Sequence, residues 1–133
     1  MHTTRVTVRS YELDSLGHVN HAVYLNWLEH ARMRLLDDMG LTLDELFHRQ
    51  WLPTVVRIEV DYRSEARVGQ TLRIETWMDG FGRSSVTVGQ RVLAEADDRL
   101  VAEAKVIAVF VGRDGKPIPV PEPLKTGEAG RPR

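Results

Sequence analysis

Five stretches of the chain alternate between apolar and polar residues with the two-residue period that is typical of β-strands. They are rich in β-branched residues, which favour strands. The last stretch is more continuously apolar, which predicts a strand that is central or covered on both faces. The predicted strands are RVTVRSY (residues 5–11), TVVRIEVDY (54–62), TLRIETWMD (71–79), SSVTVGQRVLA (84–94) and LVAEAKVIAVFV (100–111).

A helical pattern separates the first two strands. Apolar residues recur at helical spacing across residues 24–39. Asn20 is suited to cap the start of this helix, and Gly40 is suited to end it. A second, short helix is predicted to begin at the capping box of residues 42–45, in which Thr42 is the N-cap and Glu45 reaches back to it, and to end near His48.

This order of elements predicts one domain of the α+β class. The chain has 133 residues, which suits a single core. One antiparallel sheet wrapped around one long helix is the simplest arrangement of a strand, a long helix, a short helix and four strands. Turn motifs at residues 67–70, 79–80 and 114–115 follow the second, third and fifth predicted strands. We expect residues 1–121 to form the domain and residues 122–133 a tail, because the chain from Pro117 onward is rich in Pro, Gly and charge.

Composition narrows the function. The net charge is −1 and no basic run is present, which argues against electrostatic binding to nucleic acid or to an anionic membrane. The chain has no cysteine, which excludes disulfides, thiolate metal sites and a cysteine nucleophile. The histidines fit no standard metal spacing, so no metal site is predicted. No secretory signal or apolar run of roughly 20 residues is visible, and a cytoplasmic location is therefore expected.

The segment DSLGHVNH (residues 14–21) places ionisable and amide groups at the predicted start of the long helix. The first amides of a helix are unpaired and attract negative charge, so they can stabilise an oxyanion that develops on a carbonyl. Asp14 lies beside them and could attack a carbonyl or take a proton from water. A thioester is the apt substrate, because its thiolate leaves readily.

The same residues also allow an interpretation without chemistry. Asp-Ser-x-Gly suits a simple turn, so Asp14 could only hold that turn. Asn20 could be only a helix cap, and His18 and His21 could be solvent-facing residues at the helix entry. From the residues alone, both interpretations remain open.

The segment DSLGHVNHAVYLNWLEHAR resembles the hot-dog-fold acyl-CoA thioesterases of the 4-hydroxybenzoyl-CoA thioesterase-like type. Their pattern is Asp-x-x-Gly-His-Val-Asn-(Asn/His)-x-x-Tyr, followed by a helix with a Glu-x-Ala-Arg run. The resemblance continues through VDYRSEARVGQ, GRSSV and VFVGRDGKPIPVP to about Pro121. The matching residues are Asp14, Gly17, His18, Val19, Asn20, His21, Tyr24, Glu29, Ala31 and Arg32.

The resemblance implies a fold, an assembly and a site. It implies a long helix wrapped by a five-stranded antiparallel sheet, with subunits paired edge to edge as dimers or tetramers and active sites at the interface. Asp14 would be the nucleophile or general base. Backbone amides near Val19 and Asn20 would hold the oxyanion. The substrate would be an acyl-CoA or aryl-CoA, with coenzyme A as part of the substrate and no separate cofactor.

Further site residues follow from the same resemblance. His18, Asn20 and His21 would shape and polarise the pocket, with Gly17 and Val19 beside them. Tyr24 and Trp27 would line the acyl channel or pack in the core. Residues 51–54, including Thr54, would form a far wall. The coenzyme A phosphates or pantetheine would contact Arg83, Ser84 and Ser85.

Three positions depart from the family pattern. Glu12 stands where many relatives have a second Asp, and Glu65 and Gln70 replace a usual Pro and Asp. These changes do not touch Asp14 but leave the exact substrate open. Two other functions are weighed besides hydrolysis. One is a hot-dog hydratase or dehydratase of acyl thioesters, which generally uses a His with an acidic residue. The other is a non-catalytic protein that binds acyl thioesters.

Overall fold

A computed structural model describes residues 1–126 as one antiparallel sheet with a long helix on its inner face. The sheet has five strands in the order β1-β3-β4-β5-β2, so β1 and β2 are its edges and β5 lies inside, as its apolar sequence predicts. The predicted α+β class is confirmed. The strands are β1 (His2–Thr7), β2 (Leu52–Tyr62), β3 (Thr71–Phe81), β4 (Ser85–Ala94) and β5 (Leu100–Val111).

The helices begin and end where their cap residues predict. Helix α1 runs from His21 to Asp38, and the side chain of Asn20 accepts from the amide of Ala22 at 2.9 Å. Gly40 follows with a φ of 78°, a left-handed conformation that favours glycine. Helix α2 (Leu43–Arg49) is capped by Thr42, whose hydroxyl accepts from the Glu45 amide at 3.2 Å.

Two strand boundaries differ from the sequence prediction. β1 ends at Thr7, because its partner β3 begins at Thr71, and the chain then forms a 3₁₀ turn at Ser10–Glu12. The predicted turn at Asp79 and Gly80 is instead a β-bulge within β3, where the register with β4 shifts between Met78 and Gly80. The extra residue of the bulge lets the strand continue to Phe81.

The C-terminal arm, which follows β5, also packs against the sheet. Pro117 forms a bridge with Val111, and the amide of Val120 donates to the carbonyl of Arg83 at 2.8 Å. The arm ends in a short helix, α3 (Glu122–Thr126), whose Leu124 is only 1% exposed. The predicted tail of residues 122–133 thus starts with a helix that contributes to the core. Residues 127–133 of that tail lie outside the described part of the chain.

The core between α1 and the sheet has two apolar clusters. One contains Tyr24 and Trp27 near the start of α1, and the other contains Leu36, Phe110 and Leu124 near its end. Gln90 lies beneath α1 and is 1% exposed. Its amide donates to the carbonyl of Leu28 at 2.9 Å and to the hydroxyl of Thr76 at 3.1 Å, and its oxygen accepts from Arg32 at 3.0 Å. The buried polar group is therefore satisfied and fixes the helix on the sheet.

The outer face of the sheet carries a tryptophan against a glycine. Because Thr76 and Gln90 point toward α1, their neighbours Trp77 and Gly89 point to the opposite face. The Trp77 indole lies directly over Gly89, where a Cβ atom would overlap the ring. None of the described helices is long and apolar enough to cross a membrane.

We expect Gly89→Ala to destabilise the fold by about 1–3 kcal/mol, because the new methyl group displaces the Trp77 ring from the sheet. Gly80→Ala is the matched control, since no atom lies within 4 Å of a Cβ at that strand position. Urea unfolding of both variants measures the difference. Equal stability of the two variants would contradict this account of the Trp77 packing.

Candidate active site

The turn that carries Asp14 is closed by backbone hydrogen bonds. The Asp14 amide donates to the carbonyl of His18 at 2.7 Å, and the Gly17 amide donates to the carbonyl of Asp14 at 3.2 Å. Gly17 has a φ of 81°, which favours glycine, and this explains its place in the motif. A bridge between Leu13 and Val19 joins the two ends of the turn at the start of α1.

The carboxylate of Asp14 is half-buried and held through one of its oxygens. Oδ1 accepts from the amide of Leu16 at 2.9 Å and from the amide of His18 at 3.2 Å. This is the Asx-type turn that the sequence allows. Because both bonds fall on Oδ1, the carboxylate is fixed in orientation and Oδ2 is the oxygen that can meet a substrate. Holding the turn through Oδ1 therefore leaves Oδ2 available for a chemical role.

The amides at the start of α1 differ in their partners. The Val19 amide donates to the carbonyl of Ala66 at 3.4 Å, and the Asn20 amide donates to the carbonyl of Glu12 at 2.9 Å. These two amides, which the resemblance suggested as oxyanion donors, are thus occupied by protein carbonyls. Among residues 1–126, the amide of His21 has no acceptor. The unpaired donor at the helix start lies one residue later than predicted.

The side chain of Asn20 is a helix cap in this structure. Its oxygen accepts from the Ala22 amide at 2.9 Å, and its carbonyl accepts from the Val23 amide at 2.9 Å. Asn20 therefore defines where α1 begins and which amide is left unpaired. This contact supports a positioning role, whereas the sequence interpretation also included Asn20 among the catalytic residues.

His18 is held at the edge of the site by an acidic residue that is distant in sequence. Its Nε2 lies 2.5 Å from the Oε2 of Glu65, and the other oxygen of Glu65 lies 3.0 Å from Arg67. The hydrogen bond from Arg67 and the nearby His18 lower the pKa of Glu65. Glu65 is the residue that replaces the usual Pro of the family pattern. The contact between His18 and Glu65 was not predicted from the sequence.

An open cleft of about 300 Å³ connects these groups. The segment from Tyr62 to Ala66 forms its far wall, which the sequence interpretation had placed at residues 51–54. The Tyr62 hydroxyl donates to the carbonyl of His21 at 2.7 Å, which ties the end of β2 to the start of α1. The lining residues are Asp14, His18, Val19, His21, Tyr24, Tyr62, Arg63, Ser64, Glu65 and Ala66.

The two aromatic residues of α1 belong mainly to the core. Tyr24 is 3% exposed and Trp27 is 5% exposed, and their rings meet edge to face. Burial raises the pKa of Tyr24 to about 12, so its hydroxyl is neutral at physiological pH. Tyr24 also lines the cleft, whereas the indole of Trp27 donates to Glu12 at 2.9 Å. Of the two interpretations for Trp27, the structure supports packing.

The remaining predicted residues lie at the opposite end of the sheet. Thr54 and Ser85 both pair with Val109, so they share one row across β2, β5 and β4. Arg83 and Ser84 directly precede β4. Eight residues of β2 separate Thr54 from Tyr62, which corresponds to about 26 Å. A single chain therefore does not bring this second group to the Asp14 cleft.

No cluster of three or more metal-ligating side chains occurs within the described residues. The site therefore consists of a fixed carboxylate, an unpaired helix-start amide and an imidazole beside an acidic residue. These groups match the requirements of acyl chemistry: a nucleophile or base, and a donor for an oxyanion.

Comparison with known proteins identifies the family. The family model described as "Thioesterase-like superfamily" matches residues 8–126. The chain is 32% identical over 114 residues to the long-chain acyl-CoA thioesterase FadM of Escherichia coli, with 81% of each protein covered. It is also 26% identical to the chloroplastic acyl-acyl carrier protein thioesterase ATL3 of Arabidopsis thaliana. That match covers 94% of this chain but only 66% of the Arabidopsis protein.

A solved structure gives the same result for the fold. A thioesterase from Thermus thermophilus, complexed with coenzyme A and Zn, superimposes with a TM-score of 0.79 at 33% identity. The match covers 93% of this chain and 94% of that structure. The resemblance predicted from the motif of residues 14–32 is confirmed. The chain belongs to the thioesterase-like superfamily and has the hot-dog fold.

Proposed function

We propose that this protein hydrolyses acyl-CoA thioesters to a free acid and coenzyme A, with Asp14 as the catalytic carboxylate. The observation that carries the proposal is the Asp14 carboxylate, fixed through Oδ1, in a cleft that is also lined by His21, whose amide has no acceptor among the described residues. The family supports this reaction, as do relatives that are named acyl-CoA thioesterases.

The His21 amide is the proposed oxyanion donor. It lies at the N-terminus of α1, where the helix dipole adds a positive partial charge. When the thioester carbonyl carbon becomes tetrahedral, its oxygen gains negative charge, and this amide can donate to it without breaking a protein hydrogen bond. The Val19 and Asn20 amides would have to give up their protein acceptors first.

Asp14 can act by either of two balanced routes. As a nucleophile, Oδ2 forms a bond to the carbonyl carbon, the C–S bond breaks and a mixed anhydride remains, which water then hydrolyses. As a general base, Oδ2 takes a proton from water, the hydroxide adds to the carbon, and the proton passes to the departing thiolate. Both routes end in one acid, one coenzyme A and a restored carboxylate.

The second group of residues joins the site if two chains pair through β2. This edge strand exposes Val55 at 46% and Val56 at 60%, and its outer backbone groups are free for pairing with another strand. A two-fold antiparallel pairing brings the Tyr62 end of one strand next to Thr54 of the partner subunit. Arg83 of the partner subunit, with its neighbouring serines, would then bind the coenzyme A phosphates or pantetheine.

This proposal treats coenzyme A as part of the substrate and requires no metal or other cofactor. It also requires neither a nucleic acid nor a membrane as a partner. A cytoplasmic location and assembly beyond the dimer remain predictions from the sequence and its resemblance.

One contact favours a second function, an enoyl-thioester hydratase or dehydratase. The His18 imidazole beside the Glu65 carboxylate is a histidine with an acidic partner, which is the pair that hot-dog hydratases generally use. Hydration of an enoyl-CoA that is lost in His18→Ala, without release of free thiol, would identify that function. Thiol release that depends on Asp14 would identify the hydrolase.

We expect Asp14→Ala to lower kcat by about 10²- to 10⁴-fold, because the variant lacks the nucleophile or base. Thiol release from short, long and aromatic acyl-CoA substrates, followed with a thiol-reactive dye, measures this loss. The control is Asp97→Ala, because Asp97 makes the same turn contact to the amide two residues later, at 3.1 Å, outside the cleft. Turnover by Asp14→Ala at the wild-type rate would refute the assignment.

We expect Val56→Glu to separate the subunits and abolish turnover while each chain stays folded, because the new charge lies on the β2 edge. Light scattering gives the mass, circular dichroism the fold, and thiol release the activity. Val68→Glu is the matched control, since Val68 is a 53% exposed valine in a loop outside β2. An active monomer would contradict a site that is shared between two chains.

A further inference from the structure

A second, smaller cavity lies between α1 and the sheet, at the end opposite the Asp14 cleft. Its volume is about 90 Å³, and its walls are mostly apolar, with Met33, Leu36, Val88 and Phe110 among them, while Glu29 and Arg32 are its charged lining residues. An apolar cavity of this kind binds hydrocarbon and excludes water. Neither the carboxylate nor the unpaired amide of the proposed reaction borders it.

The exposure of the lining residues shows how the cavity is oriented. Val55 is 46% exposed, and it lies with the half-buried Pro53 on the edge strand β2. Phe110 and Leu124 are each only 1% exposed. Because Glu29 of α1 is also exposed, the cavity opens between α1 and the β2 edge, and it ends inside the protein, against the sheet and against helix α3.

The mouth of this cavity faces the interface of the proposed function, on which the inference rests. Val55 lies seven residues before Tyr62 on β2, a distance of about 23 Å, so the mouth of the cavity is remote from the Tyr62 side of the cleft in its own chain. In the two-fold pairing of β2 strands, Val55 of the partner subunit lies next to the Tyr62 end. The cavity of one chain then continues from the Asp14 cleft of the other.

We propose that this cavity receives the acyl chain and that Leu124 of α3 sets the longest chain it accepts. The arm before α3 is fixed, because the Val120 amide donates to the carbonyl of Arg83 at 2.8 Å. An apolar cavity of about 150 Å³ holds one benzene molecule, with its six carbons. By the same ratio, this cavity takes about four acyl carbons beyond the interface. The substrate class is thus a straight acyl chain of limited length.

Leu124→Ala tests the proposal, because it removes three carbon atoms from the closed end of the cavity. We expect the longest acyl-CoA that is efficiently hydrolysed to gain about two carbons. For that substrate, kcat/KM relative to the wild-type optimum should rise by at least about tenfold, the effect of a methylene in an apolar pocket. The experiment measures kcat/KM for the full chain with straight acyl-CoA substrates in steps of two carbons.

Leu46→Ala is the matched control. Leu46 is equally buried at 1% exposure and belongs to the same core cluster, but it does not line the cavity. It should lose stability without a change in chain-length preference. If Leu124→Ala does not fold, Leu124→Val removes one carbon and should shift the preference in the same direction. An unchanged preference in a folded Leu124 variant would overturn the role of α3. Absence of turnover in the wild type would overturn the proposed function, and this inference with it.

Discussion

The buried carboxylate of Glu12 connects the segment that carries Asp14 to helix α1. Glu12 is 8% exposed, and its two oxygens accept from the Trp27 indole at 2.9 Å and from the Arg9 amide at 2.8 Å. A buried carboxylate is costly unless such donors surround it, so the contacts hold the turn against the helix. The carbonyl of the same residue accepts from the Asn20 amide. One residue thus fixes both the turn that carries Asp14 and the helix-start amide that is left without an acceptor.

The way in which one helix-start amide is left without an acceptor explains why the site could be predicted only in part. The helix caps Asn20 and Thr42 act on amides two or three residues away, so the sequence alone locates the starts of α1 and α2. The strands follow from their alternation for the same local reason. The free amide of His21 depends instead on the carbonyls of Glu12 and Ala66, which occupy the amides before it. Contacts across such sequence distances leave no periodic signal.

The contact of His18 and the burial of α3 could not be predicted from the sequence for the same reason. The partner of His18 is Glu65, 47 residues later in the chain, at a position where the family pattern has a proline. Pattern matching marks this position only as a departure, and only the fold shows that the carboxylate contacts the imidazole. Helix α3 is five residues long in a segment rich in Pro and Gly. Among its described side chains only Leu124 is buried, and one buried residue gives no periodic pattern.

The strand β2 separates the cleft from the mouth of the apolar cavity within one chain, which supports the proposed pairing of two chains. The cleft lies at the N-terminus of α1, and Leu36, near the other end of the same helix, lines the apolar cavity. Leu36 lies 15 residues after His21, a helical rise of about 22 Å, but Glu29 also lines the cavity and lies only eight residues after His21, or about 12 Å. The strand β2 gives about 23 Å between Val55 and Tyr62. The cleft and the cavity are thus farthest apart at the β2 edge, where the cavity opens. A second copy paired through β2 removes the separation without any change in the fold, since antiparallel two-fold pairing places opposite ends of the strand side by side.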